Sequence, residues 1–267
     1  MKNNIFKVAF LSLLITLIGC STVKQTEIPS REYTIQSVLW QQNAAEYRAL
    51  CYQAFNLAKI QLDLELKNLA HQGRQVAIIT DIDETVLDNS PYNAKLILDD
   101  AEYTKEEWIN WGNQITALAV PGAVDFLNYA KSKNVEVFYV SNRFKEQHET
   151  TLANLQKLNF PYADDRHLLL MTDESSKQKR FDEVAKNCNV VLFLGDNLTD
   201  FGSEFSLYST EQRNALTDKN HAKFGVKYIV LPNPMYGDWE MKGIFQGKHA
   251  LTKAQRRAIL RASLRTY

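Results

Sequence analysis

Val76-Ala77-Ile78-Ile79-Thr80-Asp81-Ile82-Asp83-Glu84-Thr85 decides how this chain is read. Its first five residues are β-branched or small, and Gly73 opens the run. That is the pattern of a strand buried on both faces of a parallel sheet. The strand delivers Asp81 and Asp83, two residues apart, to its C-terminal end. In open α/β sheets that edge is where ligands collect. Two carboxylates there suit a hard cation and an acid–base pair. A calcium loop of the EF-hand type needs Gly at its sixth position and Glu at its twelfth. Val86 and Tyr92 stand in those places, which excludes it. A helix N-cap accounts for one Asp and leaves the other unexplained.

Two more strand-like runs end in polar turns. Val135-Glu136-Val137-Phe138-Tyr139-Val140 leads into Ser141-Asn142-Arg143. A hydroxyl and free backbone N–H groups at a strand-to-helix turn make a phosphate cradle. Val190-Val191-Leu192-Phe193-Leu194 leads into Gly195-Asp196-Asn197-Leu198-Thr199-Asp200-Phe201, again with carboxylates at a strand end. Between these two runs lies Ser176-Lys177-Gln178-Lys179-Arg180-Phe181, a source of cations.

The order D-x-D-x-T, Ser-Asn-Arg, Lys, Gly-Asp-x-x-x-Asp resembles the haloacid-dehalogenase-like phosphohydrolases. Val140-Ser141-Asn142-Arg143 and Gly195-Asp196-Asn197-Leu198-Thr199-Asp200-Phe201 narrow the resemblance. They look like the class C acid phosphatases, the lipoprotein e family of bacterial nonspecific acid phosphatases and 5′-nucleotidases. Leu87-Asp88-Asn89-Ser90-Pro91-Tyr92, Val120-Pro121-Gly122-Ala123-Val124 and Leu231-Pro232-Asn233-Pro234-Met235-Tyr236-Gly237-Asp238-Trp239-Glu240 extend the similarity, which runs from about Trp40 to about Trp239.

The resemblance implies a division of labour. Asp81 is the nucleophile that forms an aspartyl-phosphate, and Asp83 is the general acid and base. Magnesium is held by Asp81, the backbone carbonyl of Asp83, and Asp196. Asp200 orients waters on the ion or holds Lys177. Ser141, the N–H of Asn142, and Lys177 bind the phosphoryl oxygens. Lys179 and Arg180 are alternatives to Lys177, which the resemblance aligns. Trp108 and Tyr236 are expected to stack on the ester's base or phenyl ring, where stacking tolerates many leaving groups. With Asp81 ionised and Asp83 protonated for the first step, an acidic optimum is expected. The implied substrates are phosphomonoesters, among them nucleoside 5′-monophosphates and nicotinamide mononucleotide, and the implied assembly is a homodimer.

The N-terminus reads as a processing signal. Lys2 and Lys7 precede an apolar stretch from Val8 to Ile18 that is short for a membrane span, and Leu17-Ile18-Gly19-Cys20 resembles a bacterial lipobox. Residues 1–19 are then a lipoprotein signal peptide, with lipid attached at Cys20. Acyl chains on one cysteine anchor at ~0.8 kcal/mol per buried methylene. Ser21 in place of Asp points to the outer membrane, and residues 20–30 form a tether.

Lys plus Arg and Asp plus Glu number 31 each, and no basic block stands out, so a nucleic-acid polymer is not an expected partner. Cys51 and Cys188 are too few for a disulfide framework or a zinc cluster; one disulfide is open to them in an oxidising compartment, and two buried thiols are the expected state. Haem acquisition has been linked to the family the chain resembles. However, His71, His148, His167, His221 and His249 show no metal-ligand spacing and read as surface residues.

Alternating strands and helices predict a three-layer α/β/α haloacid-dehalogenase-like (Rossmann-like) parallel sheet, with a smaller, mostly helical second domain over the site. Residues 31–72 are helical and assigned to that second domain, and 73–247 form the core. Insertions at 88–116 and 201–224 also join the second domain, and 248–267 form a helical tail with no chemistry assigned.

Overall fold

The computed structural model describes residues 29–69 and 73–267. The signal segment, Cys20 and most of the tether lie outside the described residues. Five strands form one sheet: β1 (Gln75–Thr80), β4 (Glu136–Phe144), β5 (Leu168–Met171), β6 (Cys188–Gly195) and β7 (Tyr228–Val230). A two-residue ribbon pairs β2 (Leu87–Asp88) with β3 (Leu118–Ala119) antiparallel. The helices are α1 (Ile35–Asn43), α2 (Ala45–Leu69), α3 (Ser90–Leu98), α4 (Lys105–Asn113), α5 (Ala123–Ser132), α6 (His148–Lys157), α7 (Gln178–Asn187), α8 (Thr210–Lys219) and α9 (Lys253–Ala262).

The sheet order is β5-β4-β1-β6-β7, and every pairing in it is parallel. After β1 the chain builds outward through β4 and β5, then crosses to β6 and β7 on the other side. β1 is therefore the switch point of the topology, with β4 and β6 as its two neighbours. Alternation along β1 separates the layers. Ile78 joins a core with Cys51, Phe55, Ala58 and Leu62 of α2, Phe126 and Leu127 of α5, and Leu155 of α6. Ala77 and Ile79 face the opposite way, against Phe181 and Val184 of α7. These two apolar layers enclose the parallel sheet on both faces, the arrangement that its alternating pattern predicts.

The helical pattern from Tyr33 to His71 divides into a short 3₁₀ turn (Glu32–Thr34), α1 and α2. The placement of α2 differs from the expected one. Its buried face is part of the central core, so this helix is an outer layer of the α/β/α sandwich and not a piece of a separate domain. Gly122, at φ 89°, brings the start of α5 so close to α2 that a Cβ there would lie 3.2 Å from Tyr52 and 3.1 Å from Phe55.

The 201–224 stretch also differs. Phe201 stacks on Tyr228 of edge strand β7 at 5.0 Å between ring centroids, and Phe205 and Phe224 pack around the same ring. This segment covers a sheet edge, and of its residues Ser203 and Ser206 line the cavity at the end of the sheet where Asp81 and Asp196 lie. By contrast, Tyr92, Asn93 and Leu96 of α3 and Trp108 of α4 line that same cavity. Cys51 and Cys188 are buried free thiols. His167 departs from the surface expectation: it is buried between the rings of Phe138 and Tyr162, with Nδ1 2.7 Å from Asp164. Among the described residues no helix is long and apolar enough to cross a membrane.

Candidate active site

Three adjacent strands end at one place. Asp81 follows β1 directly, and its N–H donates to the carbonyl of Leu194 on β6 at 2.9 Å. Asp196 and Asp200 follow the end of β6. Gly195 permits their close approach, because a Cβ there would lie 2.3 Å from the Cβ of Asp200. Ser141 and Asn142 fall where β4 loses its register with β5. Val140 pairs with Leu169 and Phe144 with Met171, so more residues run along β4 than along β5. The irregularity takes the Ser-Asn-Arg backbone out of the regular ladder.

Lys177, just before α7, has its Nζ 2.6 Å from Asp81 Oδ1 and 2.7 Å from Asp200 Oδ1. Burial pushes the ammonium toward neutrality, but Asp200 and Asp81 outweigh it and hold the group above its ordinary value. Asp200 uses its other oxygen to accept the N–H of Asn197 at 2.9 Å. Lys179 is exposed and paired with Glu174 at 2.7 Å, so it is not at the site. Arg180 is buried and serves the backbone. Its guanidinium donates to the carbonyl of Ser141 at 2.6 Å and to the Asn142 side chain at 2.7 Å, tying the cradle to the lysine loop.

Carboxylate oxygens of Asp81, Asp196 and Asp200 lie within 4.8 Å of one another. Burial pushes Asp81 up to about 7, aided by Asp200 and Asp83 and opposed by Lys177. Burial, then Asp200 and Asp81, push Asp196 well above the usual carboxylate range. The amide of Asn233 donates to Asp196 at 2.8 Å and works the other way. When all three are ionised, the carboxylates exceed the one ammonium by two negative charges. Hard oxygen donors in that number, with that excess, fit a divalent cation.

Asp83 has a different counter-charge. Arg143 grips it through Nη2 at 2.8 Å and Nε at 3.0 Å, and Asn89 donates to the same oxygen at 2.9 Å. Ser141 Oγ lies 3.4 Å from its other oxygen. Trp111 Nε1 donates to Asn89 Oδ1 at 2.8 Å, which fixes the amide. The side chain of Arg143 is almost wholly buried and lies beneath the Trp108 ring, 5.7 Å from its centroid. Neither Arg143 nor Asn89 receives a role from the sequence motifs, although both sit inside quoted stretches.

The cavity above these groups has a volume of about 1090 Å³. Trp108 lines it, edge-on to Tyr92 at 5.1 Å. Tyr236 lines the same cavity, and its hydroxyl donates to Glu84 Oε1 at 3.1 Å. Tyr92 is both buried and part of the wall. Glu84 is fully buried, at φ 58°, and is bonded by Gln41 of α1, the N–H of Asn89, and Tyr236. Burial, then Asp88, push its carboxyl up to about 8.

A family model described as "HAD superfamily, subfamily IIIB (Acid phosphatase)" matches residues 18–239. The structure is similar to the class C acid phosphatase from Bacillus anthracis, with TM-score 0.85 and 37% identity over 90% of this chain and 100% of that one. A second structure of that phosphatase, with tungstate bound, matches equally well. Among curated proteins, the stem 31 kDa glycoprotein of Glycine max is 27% identical over 58% of this chain and 57% of its own length. Acid phosphatase 1 of Solanum lycopersicum is 24% identical over 63% of this chain and 61% of its own length. The chain thus spans about three fifths of the length of these two curated relatives. Strand-end carboxylates, a buried lysine and a match over most of the sequence lead to one conclusion: the chain belongs to subfamily IIIB, the acid phosphatases, of the HAD superfamily.

Proposed function

We propose that this protein is a magnesium-dependent acid phosphatase that hydrolyses phosphomonoesters through an aspartyl-phosphate on Asp81. The observation that carries the reading is the convergence of Asp81, Asp196, Asp200 and Lys177 at the ends of adjacent strands, beside an Asp83 with its own arginine. Phosphatases of this superfamily use a divalent metal. Here Asp81, Asp196 and the Asp83 carbonyl would hold it. When bound, the ion offsets the negative charge of carboxylate and phosphate so that one anion can approach the other. The related Bacillus anthracis phosphatase carries tungstate, a tetrahedral oxyanion of the same shape class as phosphate.

The chain's own residues supply the rest. An Asp81 oxygen forms a bond to phosphorus as the ester oxygen leaves. Asp83 gives its proton to that oxygen, so the alcohol departs neutral. Water then attacks phosphorus, Asp83 takes its proton, and the Asp81–phosphorus bond breaks to release phosphate. Lys177 and the Ser141–Asn142 cradle bind the oxygens on which charge moves. Asp200 holds Lys177 and has no free oxygen of its own in that arrangement. Trp108 and Tyr236 line the space for the leaving group, whose aromatic surroundings suit nucleoside 5′-monophosphates and nicotinamide mononucleotide. A lipid anchor at Cys20 in a bacterial outer membrane and a homodimeric assembly complete the proposal, on the strength of the family resemblance.

The test uses p-nitrophenyl phosphate near about pH 5, with and without a chelator. Chelation should abolish turnover and added magnesium should restore it. Asp81→Asn should lower kcat by about 10⁴ or more, as expected when a nucleophile is lost. Full activity after chelation, or substantial turnover by the Asn variant, would refute the mechanism.

A further inference from the structure

The last twenty residues, 248–267, lie beyond the stretch matched by the family model, yet they reach the active-site cavity. Leu251, Thr252, Lys253 and Arg256 all line it. Thr252 caps α9 by accepting the N–H of Gln255 at 3.2 Å, so the helix is a formed element. None of its ten residues is buried. It is therefore not held by a hydrophobic core of its own. Polar contacts hold it instead. Lys253 Nζ is 2.8 Å from Asp100 Oδ2, Arg256 Nη2 is 4.0 Å from Glu102 Oε2, and the Arg256 guanidinium lies over Phe245 at 5.4 Å.

The same two acidic residues bind the start of the described chain. Ser30 Oγ donates to Asp100 at 2.6 Å, Arg31 Nε donates to the Ala101 carbonyl at 2.7 Å, and Arg31 Nη2 reaches Glu102 at 3.4 Å. Ser30, Arg31 and Tyr33 line the cavity too. Three segments distant in sequence thus meet in one polar knot on the cavity wall. Within it Arg31, Lys253 and Arg256 meet Asp100 and Glu102, and Glu240 stands near Arg31 and Arg256. Its members are partly exposed: the Lys253 and Asp100 side chains are 59% and 36% accessible. Such pairs contribute little individually and weaken with salt.

We infer that this knot, closed by α9 against the 99–102 loop and the N-terminal arm, is the outer stop of the active-site cavity and sets the length of leaving group accepted. This rests on the phosphatase reading and adds an upper limit of length to it: phosphate carried on long chains is excluded. The cavity volume of about 1090 Å³ holds a compact ester whole, and chain extending past Arg31 and Lys253 would collide with the knot.

The test compares free O-phosphotyrosine with a net-neutral decapeptide carrying phosphotyrosine at its centre. The two share the reacting bond and differ in length. The wild-type protein should favour the free amino acid. Removing residues 248–267 should raise the peptide-to-amino-acid ratio of kcat/KM by about tenfold. The full-length double variant Lys253→Glu, Arg256→Glu places like charges opposite Asp100 and Glu102. It should shift the ratio the same way, and decides the matter if the truncated chain does not fold. Raising salt to about 1 M, where screening acts within about 3 Å, should move the wild-type ratio toward that of the truncated chain and leave the latter unchanged. A ratio unmoved by truncation and by charge reversal would overturn the stop. Failure of the wild-type protein to hydrolyse p-nitrophenyl phosphate as well as free phosphotyrosine would instead overturn the phosphatase reading beneath it.

Discussion

Asp81 and Asp83 stand two residues apart and meet opposite surroundings. Asp81 shares its ammonium with Asp200, while Asp83 has a guanidinium largely to itself. This separation supports the different roles proposed for the two more directly than the sequence spacing does. Arg143 should act through Asp83 and not on the substrate. Arg143→Lys keeps the charge and loses the two-pronged grip, which only a planar guanidinium provides. Its kcat should fall by about tenfold with p-nitrophenyl phosphate. The fall should be about 10² or more with an alkyl phosphate, whose leaving oxygen needs a proton. Equal losses on both esters would mean that Arg143 only supports the fold. Asn89, Arg143 and Asn233 were all visible as letters near the motifs. Their roles were not, because each depends on which strand end lies beside it. Asn233 reaches Asp196 across 37 positions of sequence, and no periodicity reports such a contact.

At the scale of elements, legibility followed burial. β1, β4 and β6 run through the interior, so each carries an apolar run, at residues 76–79, 137–140 and 190–194, and their limits can be read to within a few positions. The ribbon of β2 and β3 is two residues on each side and leaves no pattern. Amphipathicity identified α2 but could not say which partner its apolar face meets. That face belongs to the sheet. Leu62→Ala, at a wholly buried position of α2, should therefore destabilise the whole domain by about 2–5 kcal/mol. Urea unfolding checks this: the midpoint should drop with the slope unchanged. A separate early transition would mean that α2 unfolds as an independent unit. The 201–224 stretch was misplaced for a similar reason. Its aromatic residues signal burial, and the edge of β7 satisfies that need as well as a lid over the site would.

The molecule as a whole carries an electrostatic tension at its centre. The carboxyls of Asp81 and Asp196 are raised first by burial and then by neighbouring carboxylates, Asp200 beside both of them, Asp81 to about 7. A raised carboxyl keeps its proton longer in the folded chain than in the unfolded one. From about pH 4 to about pH 7 the folded state then binds more protons, and stability falls as pH rises through that window. A bound divalent ion removes the cause. Magnesium should accordingly raise the melting temperature little near about pH 4.5 and more near about pH 7.5. Asp196→Asn should flatten the difference. Thermal melts at the two pH values, with chelator and with magnesium, check it. A gain of equal size at both would show that the crowded acids are not its source.

The position of β1 between β4 and β6 has one more effect. Reactive groups depart from the central strands of the sheet, whereas the surfaces proposed to meet the alcohol portion belong to helices, loops and termini at the periphery. Turnover and choice of ester are thereby housed in different parts of one body. Surface mutation can retune which molecules are admitted while the bond-breaking apparatus stays as it was.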